Sequence, residues 1–154
     1  MVDLVDYGEG TQTSVYYLFL LTPFIYAAII LLLHLKGSST LGFTITWYYY
    51  LSVIYGLATV WIGGKVKNSD WIDRKKNIHK PADFYSAYYE NNILGLAMPA
   101  SAGTIGMLIF LLAGDLLLPS VLLVLSLIGL MREFPSKDEM TEKRKEIQFT
   151  NEQV

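Results

Sequence analysis

The side chains that could do chemistry in this 154-residue chain are few. Asp83 and Glu90 share one helical face, with Asn91 next in sequence and His79 shortly upstream. Two carboxylates, an amide and an imidazole could together hold a divalent cation. Their spacing matches no metal-binding motif, and solvated carboxylates are the simpler reading, so no metal site is assigned. The second suggestive set is Thr44, Tyr48, Ser52, Tyr55 and Thr59, whose hydroxyls recur at helical spacing on one face. In hydrocarbon such a polar stripe turns toward other helices, where each hydroxyl bonds a carbonyl or another side chain. The functional alternative is one wall of a hydrated cavity, or of a quinone or lipid-headgroup site. None of the five ionises near neutral pH, so the stripe is poorly suited to carrying protons or selecting ions.

Other chemistries are excluded by composition. The chain contains no cysteine, which removes disulfides, thiolate metal sites, iron–sulfur ligation and a thiol nucleophile. Its only histidines, His34 and His79, fall on opposite sides of the expected bilayer, so one chain cannot supply a bis-histidine haem, and His34 could act only with another subunit. No HExxH, GxSxG or phosphate-cradling glycine loop occurs. No catalytic residue and no cofactor is therefore assigned.

The elements that carry these residues are set by hydropathy. Apolar residues make up 53% of the chain and charged residues 17%, and the mean hydropathy is +0.36, values typical of a membrane protein. After a polar segment (1–13) that lacks the basic start of a secretory signal, four uncharged runs follow at 15–35, 41–62, 93–113 and 116–131. The first three are each about 31 Å long as helices, one hydrocarbon thickness. The fourth reaches only about 24 Å and needs tilt, thinning or snorkelling at Arg132. Gly114 and Asp115 are expected to make a tight turn before it.

Orientation follows from Lys and Arg. With four crossings, the 63–92 loop and the 132–154 tail lie on one side with eleven of the 12 basic residues, leaving Lys36 alone on the other. That asymmetry places both termini and the loop in the cytoplasm. The expected fold is thus all-α: an integral membrane four-helix bundle (14–131) with a long basic cytoplasmic loop and a charged cytoplasmic tail, in the cell membrane. Tyr16, Tyr17, Trp47 to Tyr50, Trp61, Trp71 and Tyr85 to Tyr89 lie near expected span ends, as interfacial aromatic belts do.

Several segments are read as contact surfaces. Gly95, Pro99, Ala102, Gly103 and Gly106 give the third span a small-residue face that lets a partner backbone approach closely, within the bundle or in another subunit. Pro99 is expected to kink that helix. Lys65, Lys67, Arg74, Lys75 and Lys76 are expected to contact anionic lipid headgroups, with Trp71 and Ile72 in a short interfacial helix that Pro81 stops. A new helix starts at Ala82 with Asp83 favoured near its N-terminus. Ser136 and Glu139 form a capping box that opens a short exposed helix to about Gln148. The tail is solvated or docks on a soluble partner.

Tyr88-Tyr89-Glu90-Asn91 resembles the Asn-x-x-Glu-Asn region of the membrane glutathione-transferase family over a few residues. That family's Arg falls here at Asp83, its Asn at Ala87, and two spans precede the segment instead of one, so its activity is not carried over. The function expected from the sequence is that of a non-catalytic membrane subunit of a larger complex, its partners being membrane lipids and other membrane subunits. The rival readings are a small oligomeric channel or transporter of neutral or amphipathic molecules lined by the hydroxyl stripe, and a membrane enzyme using the loop carboxylates. At a net charge of −2, with its basic residues beside membrane segments, the chain has no case for nucleic acid.

Overall fold

The computed structural model describes residues 4–37, 46–78 and 81–151, with side chains described for 14–37, 47, 50–78 and 83–147. Five α-helices account for nearly all of it: α1 (Leu4–Leu35), α2 (Thr46–Arg74), α3 (Pro81–Ala113), α4 (Leu117–Arg132) and α5 (Lys137–Asn151), with one 3₁₀ turn at Lys75–Asn77. No strand occurs among the described residues. Two helices are long and apolar enough to cross a membrane, Ser14–Leu35 and Asp83–Ala113. A third crossing is available if Leu117–Arg132 and Lys137–Ile147, which meet at 52°, form one broken span. The expected second span begins in residues 41–45, which lie outside the described residues.

Helix ends follow local chemistry. α1 stops at Gly37, whose φ of 62° is left-handed and suits a residue without Cβ; its N–H donates to the His34 carbonyl at 3.1 Å. Gly114, at φ 74°, closes α3 in the same way by donating to Phe110 at 2.8 Å. Asp115 then accepts the Leu117 N–H at 3.1 Å, giving the expected tight turn into α4. α3 opens on Pro81 itself, one residue before the sequence expectation, because proline at the first helical position gives up an N–H that would have no partner. It then runs unbroken through Pro99.

The largest departure from expectation is the 63–92 loop. α2 does not end at Gly63 and Gly64 but continues for ten more residues to Arg74, and α3 already begins at Pro81. Only 75–80 remains as a connection. Hydropathy falls at Gly64 because Lys65 and Lys67 follow, yet a helix persists wherever its polar side chains find partners. The glycines serve close approach: a methyl group at 63 would lie 3.6 Å from Met98 Cβ and 3.8 Å from Pro99 Cδ, and Gly63 is buried. At the other end of the chain, α1 starts at Leu4, so most of the polar N-terminal segment is also helical.

α3 and α4 form the central antiparallel pair, and α1 and α2 each lie against both. The small face of α3 makes this possible. Gly103 faces Ser126 and Leu123, and Gly106 faces Leu122 and the Pro119 carbonyl, with atoms as near as 3.1 Å to a would-be Cβ, closer than ordinary van der Waals contact. Gly95, Pro99, Ala102, Gly103 and Gly106 are all buried, so this surface is used inside the chain. On the α1 side, Tyr16 packs with Leu96, Ala100 and Leu130, while Ile30 packs with Phe110 and Leu123. Large apolar side chains such as Leu18, Phe24, Leu32, Ile54, Leu57, Val124 and Ile128 point outward, as lipid-facing residues do.

Candidate functional site

Ionisable groups gather at one end of the bundle, where the C-terminal part of α2, the start of α3, the end of α4 and α5 meet. On α2, Lys67, Asp70, Trp71 and Arg74 share a helical face turned toward α3 and α5. On α3, Phe84, Tyr88, Asn91 and Asn92 are buried. On α5, Met140 and Lys143 are buried and Ile147 is half-buried, a spacing of three and four that defines an amphipathic face. Trp71, Ile78, Phe84, Tyr88 and Met140 make one apolar cluster, with Ile147 packed against it. Phe84 and Tyr88 stack, and both meet the Trp71 indole edge-on. Most such ring pairs add about 0.5–1.5 kcal/mol beyond their burial.

Beside this cluster lies a network of charges. Glu139 takes Lys67 Nζ on both carboxylate oxygens, at 2.9 Å and 3.1 Å, and Lys143 Nζ at 3.1 Å. Lys143 also donates to Asn91 Oδ1 at 3.2 Å and sits over the Trp71 ring, 4.8 Å from its centroid. Asn91, fully buried, turns its amide nitrogen to the Lys67 carbonyl at 2.6 Å and to Asp70 Oδ2 at 3.0 Å. Both of its amide hydrogens and its oxygen are thus used. Arg74 bridges Asp70, at 2.5 Å, and Glu90. Three helices, α2, α3 and α5, are tied together by Lys67, Glu139, Lys143, Asn91, Asp70, Arg74 and Glu90.

Titration follows from these contacts. For Glu139, burial alone would favour the neutral acid, but the charges and hydrogen bonds of Lys67 and Lys143 outweigh it and hold the carboxyl below its usual range. Asp70 is likewise lowered: desolvation opposes, and the hydrogen bonds of Asn91 and Arg74, with the charges of Arg74 and Lys143, win. Arg74 is raised by its hydrogen bond to Asp70. Lys143 is lowered because desolvation exceeds the help of Glu139. Glu133, the residue that caps α4 at its C-terminus, moves the other way. Its carboxyl is raised by burial, against the partial opposition of Lys67 and Arg132.

The sequence-predicted residues are distributed differently from expectation. Of the proposed lipid contacts, Lys65 is exposed and lies over Trp61 at 3.8 Å, and Lys76 is exposed beside Asp73. Lys75 pairs loosely with Glu146 at 3.8 Å. Lys67, by contrast, is buried and turned inward, and Arg74, half-buried, is paired with Asp70 and Glu90. Helical continuation of α2 places both on the α3 and α5 side. Along the hydroxyl stripe, Ser52 and Thr59 are buried. Tyr55 Oη bonds Ser101 Oγ across to α3 at 2.8 Å, and Thr59 Oγ1 donates to its own helix at Gly56 O, 2.8 Å. Thr44 and His79 lie outside the described residues, and the Tyr48 side chain is not described.

Among the described residues no three His, Cys, Asp or Glu side chains converge as a metal site. Glu90 is engaged by Arg74 and by Ser86 Oγ at 3.4 Å, while Asp83 is exposed two turns away on α3. The tail helix also departs from expectation, since α5 packs its Met140, Lys143 and Ile147 face on the chain itself. Ser136 caps it by accepting the Glu139 N–H at 3.1 Å, but the Glu139 carboxylate turns to Lys67 and Lys143 instead of completing the capping box. Glu133, Glu139, Lys143, Asp70 and Tyr88 were not singled out as site residues from sequence. Their one signal is the shared spacing of Lys67–Trp71, Tyr88–Asn91 and Met140–Lys143–Ile147, three faces that match only once they are paired. No family model, curated protein or solved structure matches this chain.

Proposed function

We propose that this chain is a non-catalytic membrane subunit of a larger assembly, crossing the bilayer four times with both termini on the cytoplasmic side. The observation that carries the reading is the charge network at the α2–α3–α5 end. Its groups are spent on one another and on helix-to-helix bonds, the work of a rigid scaffold. The Tyr55–Ser101 bond and the Thr59 bond to its own backbone spend stripe hydroxyls in the same way, which argues against a hydrated path. Support for four crossings comes from the alternating direction of α1 to α4 and from the basic residues: Lys36 stands alone at the end opposite the network. Lys65, Lys75, Lys76 and Arg132 are the cations placed to meet an anionic leaflet.

The test of the subunit reading is purification of the native complex in mild detergent. A stoichiometric set of unlike subunits is the expected result. A homo-oligomer of this chain alone that conducts small neutral solutes would overturn it in favour of a channel, and turnover by the isolated chain would overturn it in favour of an enzyme.

Topology has its own test in this cysteine-free chain. Single cysteines at exposed Ser69 and Thr141 should resist a membrane-impermeant thiol reagent in intact right-side-out cells, while one at Ser38 should react. Labelling at Thr141 but not at Ser69 would mean that α4 does not cross.

A further inference from the structure

Glu133 is the one member of the buried cluster whose carboxyl has neither a hydrogen bond nor an ion pair to a described residue. It is 8% exposed, and it sits at the first residue of the 52° bend between α4 and α5. Its surroundings explain how a carboxyl fits there. A methyl group at Gly64 of α2 would come within 3.0 Å of Oε1, and one at Gly95 of α3 within 3.5 Å of Oε2. Two bare backbones therefore form the slot. The cations that face it are already engaged: Lys67 of α2 is held by both oxygens of Glu139, and Lys143 of α5 by Glu139 and Asn91. Arg132 on its own helix is exposed, and Glu139 of α5 adds a like charge. Within the cluster, Lys67, Lys143 and Arg74 face Glu133, Glu139, Asp70 and Glu90, so one carboxylate is in excess.

A buried carboxylate without a partner is costly, and the group relieves that cost by taking a proton. A metal cation would meet the repulsion of Lys67 and Lys143, whereas a proton from bulk water binds one carboxylate oxygen and adds no volume. We infer that Glu133 is a proton-binding site that sets how tightly α5 is held against α2 and α3, so that acidification on that side of the membrane tightens the tail.

The direction of linkage follows from the two glutamates. Glu133 has its proton affinity raised by burial against α2 and α3, and docking of α5 adds to this because the Glu139 charge it brings outweighs that of Lys143. The Glu133 contribution to docking is therefore fully present below the ordinary glutamate value of about 4.3 and is lost as pH rises through the raised value. Glu139 is lowered when docked, so its contribution is present above about pH 4.3 and is lost as pH falls through its lowered value. Docking therefore strengthens on mild acidification, as Glu133 takes its proton, and weakens again only at lower pH, when the Lys67–Glu139–Lys143 bridge breaks.

The experiment is amide hydrogen exchange of residues 138–147 in the full chain in lipid nanodiscs, expressed as protection factors so that intrinsic exchange is divided out. As pH falls from neutral toward the ordinary glutamate range, protection in the native chain should rise, the rise beginning at the raised Glu133 value. Glu133→Gln, neutral and nearly isosteric, should show the high protection throughout that range. The native chain alone also carries a test, because protection should pass through a maximum and decline on further acidification. Protection that is flat or falls monotonically from neutral pH overturns the inference. So does a Glu133→Gln chain that keeps the native pH response, because another group then titrates.

Discussion

Lys67→Met should loosen the whole α2–α5 end of the protein and lower its stability by about 3–5 kcal/mol, the usual cost of removing one partner of a buried ion pair. Lys67 is 4% exposed, and its ammonium is the one group that joins α2 to α5 through Glu139. Without it, Glu139 keeps only Lys143, and Glu133 loses the nearest cation that moderates its burial. Methionine preserves most of the aliphatic stem that fills the space over Gly95, so the loss reports the charge and not a cavity. Lys67→Met with Glu139→Leu removes both charges and should recover a substantial part of the stability, since a buried pair replaced by apolar residues is often close to neutral. Chemical unfolding in detergent, with limited proteolysis after Arg144 and Lys145 as a local readout, measures both. A single variant as stable as the parent, with α5 equally protected, would mean that the bridge is not what holds the tail.

That network joins residues too far apart in sequence for local patterns to reveal. Helices, the Gly114–Asp115 turn and the Ser136 cap are legible, because each depends on residues within a turn or two of one another. The end of α2 is not. Gly63 and Gly64 followed by Lys65 mark where a helix leaves the membrane, but leaving the membrane does not end it. What keeps α2 helical to Arg74 is chemistry supplied from far along the chain: Glu139 for Lys67, Asn91 for the Lys67 carbonyl, Glu90 for Arg74. For the same reason Lys67 and Arg74 cannot be told apart from Lys65 and Lys76 by sequence alone. All four are basic residues in one short stretch, and only the partners of Lys67 and Arg74 on α3 and α5 separate them.

The tail shows the reverse error in energetic terms. As an isolated helix, Lys137–Asn151 would be marginal, and with Met140 and Ile147 almost its only apolar residues it looked solvated. Those two suffice because they meet Trp71, Ile78, Phe84 and Tyr88 in one cluster, and Lys143 between them is satisfied by Glu139, Asn91 and two aromatic faces. The docked face is thus specified by polar matching as much as by burial. Such matching suits a segment that must be held in one register and can still be released by a change of charge.

Gly129→Ala should be among the most damaging single-methyl additions available in this chain. A Cβ at 129 would lie 2.5 Å from Pro99 Cβ and 3.3 Å from Val60 Cγ2. Pro99 cannot swing aside, since its ring is fixed to the α3 backbone at a fully buried position, so the α3–α4 pair itself must part. Overpacking of a well-packed core usually costs about 1–3 kcal/mol, and the high end is expected here because backbone has to move. Gly106→Ala meets Leu122 Cβ at 3.1 Å and the Pro119 carbonyl at 3.2 Å and should cost less. Ile128→Leu, half-exposed on the outer face of α4, should stay within about 0.5 kcal/mol of the parent. The cause can be isolated with Pro99→Gly: in the Gly129→Ala background it removes the opposing Cβ and ring and should restore part of the loss, although alone it removes buried contact. Thermal unfolding of the four variants in one detergent ranks them. If Gly129→Ala proves as stable as Ile128→Leu, the contact between α3 and α4 at Pro99 is not the close approach that organises the bundle.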